Sequence, residues 1–92
     1  MMYPFSTLSD DTLITHSQII NKNGIETVEV HFERPSENCF DSARCILPSY
    51  EWLFIDGYSN DEIKTFEQIL ISGSHIFFRY AEQGGLRIAQ TA

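Results

Sequence analysis

The clearest hydrophobic pattern lies between residues 59 and 85, where apolar side chains recur at alternating steps of three and four. The positions on this stripe are Ile63, Phe66, Leu70, Gly73, Phe77 and Tyr80. Such spacing places them on one face of an α-helix. Ser59 and Glu62 have the spacing of a capping box, and Gly84 suits the left-handed position that ends a helix. The pattern therefore predicts a long amphipathic helix over residues 60–83, continuous across Gly73.

A second pattern, strict alternation, marks residues 25–33 as a strand. Its apolar members are Val28, Val30 and Phe32, and its polar members are Glu29, His31 and Glu33. Alternation of this kind indicates an antiparallel sheet that is covered on one face and exposed to solvent on the other. Residues 42–47 predict a further strand, with Ala43, Cys45 and Leu47 turned inward.

Residues 12–21 are rich in β-branched side chains and favour a strand. Asn23-Gly24 follows them between two apolar segments, which is a strong hairpin signal. A two-residue turn predicts that Lys22 pairs with Ile25, Ile20 with Thr27, Ser17 with Val30 and His16 with His31. The alternative is a helix capped by Ser9. Pro4 disfavours helix before it, so residues 1–11 read as an extended lead-in.

Between the last strand and the long helix, residues 50–56 predict a short helix capped by Ser49 and ended by Gly57. Its side chains are too apolar for an exposed turn and should bury against the sheet or the long helix. Trp52 is then expected to anchor the core.

These elements predict one small α+β domain over residues 1–92. Its fold class is a three-stranded antiparallel β-meander (about 12–21, 25–33 and 42–47). A short helix (50–56) and a long amphipathic helix (60–83) then pack on one sheet face. The alternative is a two-strand hairpin with a third helix at the N-terminus.

Charge narrows the choice of partners. Thirteen acidic residues face six basic ones, for a net charge of -7. Such a chain repels nucleic acid phosphates and anionic membranes, so we expect neither direct nucleic acid binding nor membrane binding. It favours a protein partner with a basic surface. No apolar run has the length of a membrane span, and the first residues lack the basic region of a signal peptide, so we expect a cytoplasmic protein.

No catalytic motif stands out. The sequence contains no P-loop, GxGxxG, HExxH or nucleophile elbow, and we therefore expect no enzyme and no cofactor. The predicted partner-binding surface is an acidic sheet face. Its residues are Glu29 and Glu33, with Glu26, Glu37 and Asp41 near its ends. The leading hypothesis is a non-catalytic protein-interaction module, specifically a small acidic inhibitor of a basic nucleic-acid-handling protein.

In size, charge and predicted order of elements, the chain resembles small phage-encoded inhibitors of nucleic-acid enzymes, the anti-CRISPR proteins among them. An antitoxin of a mobile element would fit the same description. The resemblance concerns architecture and charge, and it transfers no residue.

Two other hypotheses come from side-chain constellations. The first is a metal-binding protein or small enzyme that uses His16, His31, Glu29 and Glu33 on the open sheet face. The second concerns Ile71 and Phe78, which lie on the helix away from the centre of its main stripe. A helix that is apolar on two sides must be covered on two sides. The cover is either the chain itself or another molecule, and in the second case Ile71 and Phe78 are partner-binding residues. The other molecule is then a partner protein with a matching groove, or a second copy in a homodimer or larger homo-oligomeric structure.

Overall fold

The computed structural model describes residues 2–37 and 40–83, which form an antiparallel sheet of six strands followed by one helix. The elements are, in chain order, β1 (Met2–Thr7), β2 (Leu13–Ser17), β3 (Ile20–Lys22), β4 (Ile25–Pro35), β5 (Phe40–Leu47), β6 (Glu51–Asp56) and α1 (Asn60–Glu82). The sheet order is β1-β2-β4-β5-β6, and β3 also pairs with β4. The α+β class is confirmed. The three-stranded meander with two helices is wrong in detail, because the sheet gains strands on both sides.

The predicted hairpin is present at Asn23-Gly24, where both residues have positive φ (55° and 86°). Lys22 pairs with Ile25, and Ile20 pairs with Thr27, as the two-residue turn predicts. The strand interpretation of residues 12–21 is therefore confirmed over its helical alternative, although the strand is divided into β2 and β3.

A β-bulge divides β2 from β3 and changes the register beyond it. The three residues Ser17, Gln18 and Ile19 lie opposite only two residues of β4, Val28 and Glu29, so the paired positions shift by one between β3 and β2. His16 consequently pairs with Val30 and not with the predicted His31. Side chains alternate between the two faces of a strand, so a slip of one residue moves His16 to the opposite face of the sheet.

The predicted short helix over residues 50–56 is wrong, because Glu51–Asp56 forms strand β6 antiparallel to β5. Tyr50 has a positive φ of 59° in the tight turn that reverses the chain. Ser49 caps no helix, and its Oγ instead donates to the carbonyl oxygen of Ile46 at 3.4 Å. The run Trp-Leu-Phe-Ile favours a strand by composition, and the open edge of β5 gives that strand a partner.

The expected lead-in is also a strand. β1 lies at the edge of the sheet and pairs antiparallel with β2. Pro4 can be accommodated there because an edge strand has one row of backbone groups outside the ladder. The register shifts around Phe5, and its ring packs against the core.

The core lies between α1 and one face of the sheet. The fully buried sheet residues include Val28, Val30, Phe32, Ala43, Cys45 and Leu47, each with 0% exposure. The buried helix residues are Ile63, Phe66, Leu70, Phe77 and Ala81. The rings of Phe32 and Phe66 stack with their centroids 4.2 Å apart. The predicted contact between the valine-and-phenylalanine face of β4 and the helical stripe is confirmed.

The helix starts as predicted. Glu62 N donates to Ser59 Oγ at 3.2 Å, and Ser59 N donates to Glu62 Oε1 at 2.9 Å, which completes the capping box. The helix is continuous through Gly73. The prediction for Gly84 lies outside the described residues.

Candidate protein interface

The face of the sheet opposite α1, called the outer face below, carries no second helix within residues 2–37 and 40–83. A row of paired residues crosses its middle in the order Thr15, His31, Arg44 and Phe54. The Arg44 guanidinium carbon lies 5.7 Å from the centroid of the Phe54 ring. The outer face therefore presents an arginine and an aromatic ring side by side, two residue types that are enriched at protein interfaces.

The two central carboxylates of the predicted site lie on this face. Glu29 and Glu33 are half-buried between neighbouring strands, on either side of His31. His31 Nε2 donates to Glu29 Oε1 at 2.7 Å. Arg44 pairs across from His31 and so places a positive charge between the two carboxylates. The outer face is therefore mixed in charge and less acidic than the sequence predicts.

The other predicted carboxylates separate into two groups. Glu26 and Glu37 are exposed near the ends of β4, as expected. Asp41 is instead held inside the chain, where its Oδ2 accepts from Arg34 Nη2 at 2.7 Å and from Nε at 3.0 Å. Its carboxylate is only 15% exposed. Asp41 is therefore a structural residue in this fold and not an open contact for a partner.

Arg34 is the centre of a cluster that the sequence gives no sign of. Its Nη1 donates to Asp10 Oδ2 at 2.9 Å and to Glu62 Oε2 at 2.6 Å. Its guanidinium carbon lies 4.7 Å from the Tyr58 ring centroid. The hydrogen bond from Arg34 lowers the pKa of Glu62, and the pKa of Arg34 rises in turn. The cluster ties the β1–β2 loop and β5 to the first turn of the helix.

His16 lies on the core face with 0% exposure. The rings within 6.5 Å of its own are those of Tyr3, Phe5, Phe77 and Tyr80. Nδ1 lies 2.8 Å from the carbonyl oxygen of Ser17, and a carbonyl only accepts, so Nδ1 carries the proton. Nε2 has no hydrogen-bond partner among the described residues. Burial lowers the pKa of His16, while the bond to Ser17 acts in the opposite direction.

The placement of His16 corrects the proposed His16, His31, Glu29 and Glu33 constellation. His16 lies under the helix and the other three side chains lie on the outer face, so the four do not converge. Within the described part of the chain, no group of three His, Cys, Asp or Glu side chains is placed to hold a metal ion.

Ile71 and Phe78, the two helix residues predicted to lie away from the main stripe, differ in exposure. Phe78 is half-buried and packs against the core cluster, so the chain itself supplies part of its cover. Ile71 is 57% exposed. A homodimer through Ile71 and Phe78 stays a prediction, with Ile71 as its more accessible member.

Among residues 2–37 and 40–83, strand β6 carries the longest run of exposed apolar side chains. Leu53, Phe54 and Ile55 are 48%, 42% and 46% exposed. Trp52 points to the core side, where its Nε1 donates to Glu67 Oε2 of the helix at 3.0 Å and its ring centroid lies 5.9 Å from that of Phe32. The predicted helix over residues 50–56 gives no indication of this surface, because a helix would place these side chains differently. The short connection from β5 and the β-favouring composition were the signals that indicated a strand.

Comparison of the chain with protein-family models, curated proteins and solved structures finds no match. The helix within the described residues is not long and apolar enough to cross a membrane.

Proposed function

We propose that the chain is a non-catalytic protein-interaction module that binds the basic surface of a partner protein through the outer face of its sheet. In this proposal it acts in the cytoplasm as an inhibitor of a nucleic-acid-handling protein. The observation that carries the proposal is the difference between the two sheet faces: α1 packs on the core face, and the outer face has no such cover among the described elements.

The outer face suits a protein better than a small substrate. Glu33 pairs directly with Leu13, which is 39% exposed, and Phe54, which is 42% exposed, lies on the same face across β5 from His31. Apolar contacts supply binding free energy, while the carboxylates steer a basic partner into register. The net charge of -7 adds a long-range attraction that salt weakens.

The test compares three forms of the full chain as bait in affinity capture from the cells that carry its gene. The first is the wild type, and the second is Glu29→Lys with Glu33→Lys. The third is the control Asp61→Lys with Glu82→Lys, which makes the same change in net charge at exposed helix positions. The captured protein is then purified and its dissociation constant measured at low salt and at about 0.15 M ionic strength.

We expect the Glu29/Glu33 double variant to lose the partner and the helix double variant to keep it. Binding to the wild type should weaken as salt rises. Equal binding by both double variants would assign the attraction to net charge alone and contradict a specific outer-face site. Binding that does not respond to salt would contradict a basic partner.

A further inference from the structure

β6 is an edge strand. Within the described residues it pairs with β5 only, so one of its two rows of backbone N–H and C=O groups is unpaired there. Such a row is a ready template for another strand. Exposed apolar side chains accompany it at Leu53, Phe54 and Ile55. This combination provides backbone hydrogen bonds and apolar contact along the same line.

A groove of about 440 Å³ opens beside the beginning of β6. Its apolar lining includes Ile25, Ile46, Pro48 and Leu53, and its charged lining consists of Lys22 and Glu51. Ile25 is 60% exposed, so the groove is apolar surface that the described residues leave open. A strand added along β6 would direct alternate side chains to this side of the sheet, where one of them can enter the groove.

Charge decides between a second copy and a different protein as the occupant. β6 begins with Glu51 and ends with Asp56, and no Lys or Arg lies between them. Antiparallel pairing of two copies about the middle of β6 would set Glu51 of each copy opposite Asp56 of the other. Like charges in directly opposite positions destabilise a sheet. A segment with Lys or Arg at both ends of an apolar centre would instead pair every carboxylate with a cation.

We propose that β6 binds an extended segment of the basic partner as an additional antiparallel strand, one with alternating apolar side chains flanked by Lys or Arg. This rests on the proposed function and adds the mode of contact to it. The backbone of the segment bonds to the open row of β6, its apolar side chains cover Leu53 and Phe54 on the outer face, and its basic ends meet Glu51 and Asp56.

The test uses the full chain and short synthetic peptides that lack Trp, with an alternating Val-Thr-Ile-Thr-Val centre between paired lysines. Trp52 is the only tryptophan in the chain and belongs to β6, so its fluorescence reports binding at this strand. Two further peptides of equal composition carry backbone N-methyl groups on alternate residues, one set at odd and the other at even positions. In a given register only the odd or only the even backbone nitrogens face β6. The peptide that is methylated on those nitrogens therefore loses its hydrogen bonds to β6, and the other peptide keeps them.

We expect the unmodified peptide and one N-methylated isomer to bind, and the other isomer to bind at least about tenfold more weakly. Leu53→Lys should weaken the unmodified peptide by a similar factor. The control Gln68→Lys adds the same charge at an exposed helix position and should leave binding unchanged. A version with glutamates in place of the lysines should bind only to the Glu51→Lys, Asp56→Lys double variant.

Several outcomes would overturn the proposal. They are the absence of peptide binding, equal binding by both N-methylated isomers, or a concentration-dependent dimer in light scattering that Leu53→Lys abolishes, which would make the occupant a second copy. The peptide assay does not depend on Glu29 or Glu33. If the peptides do not bind but the partner is still captured, only strand addition at β6 is contradicted. If the Glu29/Glu33 double variant captures the partner as well as the wild type does, the outer-face site is contradicted.

Discussion

The two edges of the sheet, β1 and β6, are closed to different degrees. β1 contains Pro4, which has no N–H to offer, and its register is irregular at Phe5. The Phe5 ring turns inward and stacks on Phe77, with centroids 4.1 Å apart. β6 contains no proline and leaves three consecutive apolar side chains exposed. A proline and an irregular register are two ways in which proteins blunt an edge strand, and β6 has only the second, at the register shift beside Leu53.

The difference between the β1 and β6 edges indicates which of them is suited to contact another protein. The β1 edge completes the core around His16, so its inward side chains serve the stability of the fold. The β6 edge contributes Trp52 to the core and keeps its remaining apolar side chains exposed. Exposed apolar surface on an edge strand is a liability unless a partner covers it, which is why we infer a binding role for β6.

The largest effect should come from exchanging the two edge phenylalanines for alanine. Phe5→Ala removes a ring from the aromatic group around His16 and should lower the free energy of unfolding by about 3 kcal/mol. Phe54→Ala removes an exposed ring that contacts Arg44 and should cost only about 0.5–1 kcal/mol. Urea denaturation of both variants measures the difference. Equal losses would show that Phe54 of β6 stabilises the fold as much as Phe5 of β1 does.

A smaller effect is a pH dependence of the free energy of unfolding, which we expect from His16 next to β1. Burial lowers the pKa of His16 in the folded state, whereas the unfolded chain takes up the proton near pH 6.5. The stability is therefore complete above about pH 6.5 and falls as the pH drops below it, by at most about 1.4 kcal/mol per pH unit. Urea denaturation between about pH 7.5 and 5 should show this fall.

Two variants assign the pH effect to its residue. His16→Phe keeps an aromatic ring in the site and should remove the dependence over this range, although its absolute stability will differ. His31→Gln, on the outer face, should keep the dependence. A wild-type stability that does not change from about pH 7.5 to 5 would contradict the burial of a neutral His16.

The smallest effect tests how closely the helix is packed near the β1 edge. A Cβ added at Gly73 would meet the ring of Phe77 at 3.8 Å, which is ordinary contact. Gly73→Ala should therefore raise the free energy of unfolding by about 0.5–1 kcal/mol, through helix propensity. Gly57→Ala is the control of opposite sign, because Gly57 has φ 92° and its added Cβ would collide with the Asp41 carboxylate. A loss of stability in Gly73→Ala would show that the Phe77 ring cannot yield.

Several features could be predicted because their causes are local. The capping box needs only Ser59 and Glu62 three residues apart, and the hairpin needs only Asn23-Gly24 between apolar segments. The alternation in β4 already separates Val30 from Glu29. These signals depend on neighbours within a few residues, so they predict the same local structure in any fold that buries one face of the element.

Other features depend on residues far apart in the chain. Arg34 meets Asp10 and Glu62 across 24 and 28 residues, and no spacing rule selects those partners from thirteen acids. The bulge within residues 17–19 changes the face of His16, and the Asn-Gly turn alone predicts a register without it. The Trp-Leu-Phe-Ile run favours a strand by composition, but a strand forms only where the free edge of β5 is available to pair with it.

The amino-acid sequence alone therefore determined the α+β class, the inward faces of β4, β5 and α1, and the excess of negative charge. The tertiary structure decided that β6 is a strand, that β1 closes the opposite edge and that His16 is buried away from His31. The physical reason is the range of the interactions. Periodicity, caps and turns act within about one or two turns of chain, while strand pairing, register and ion-pair partners are chosen by packing between distant segments.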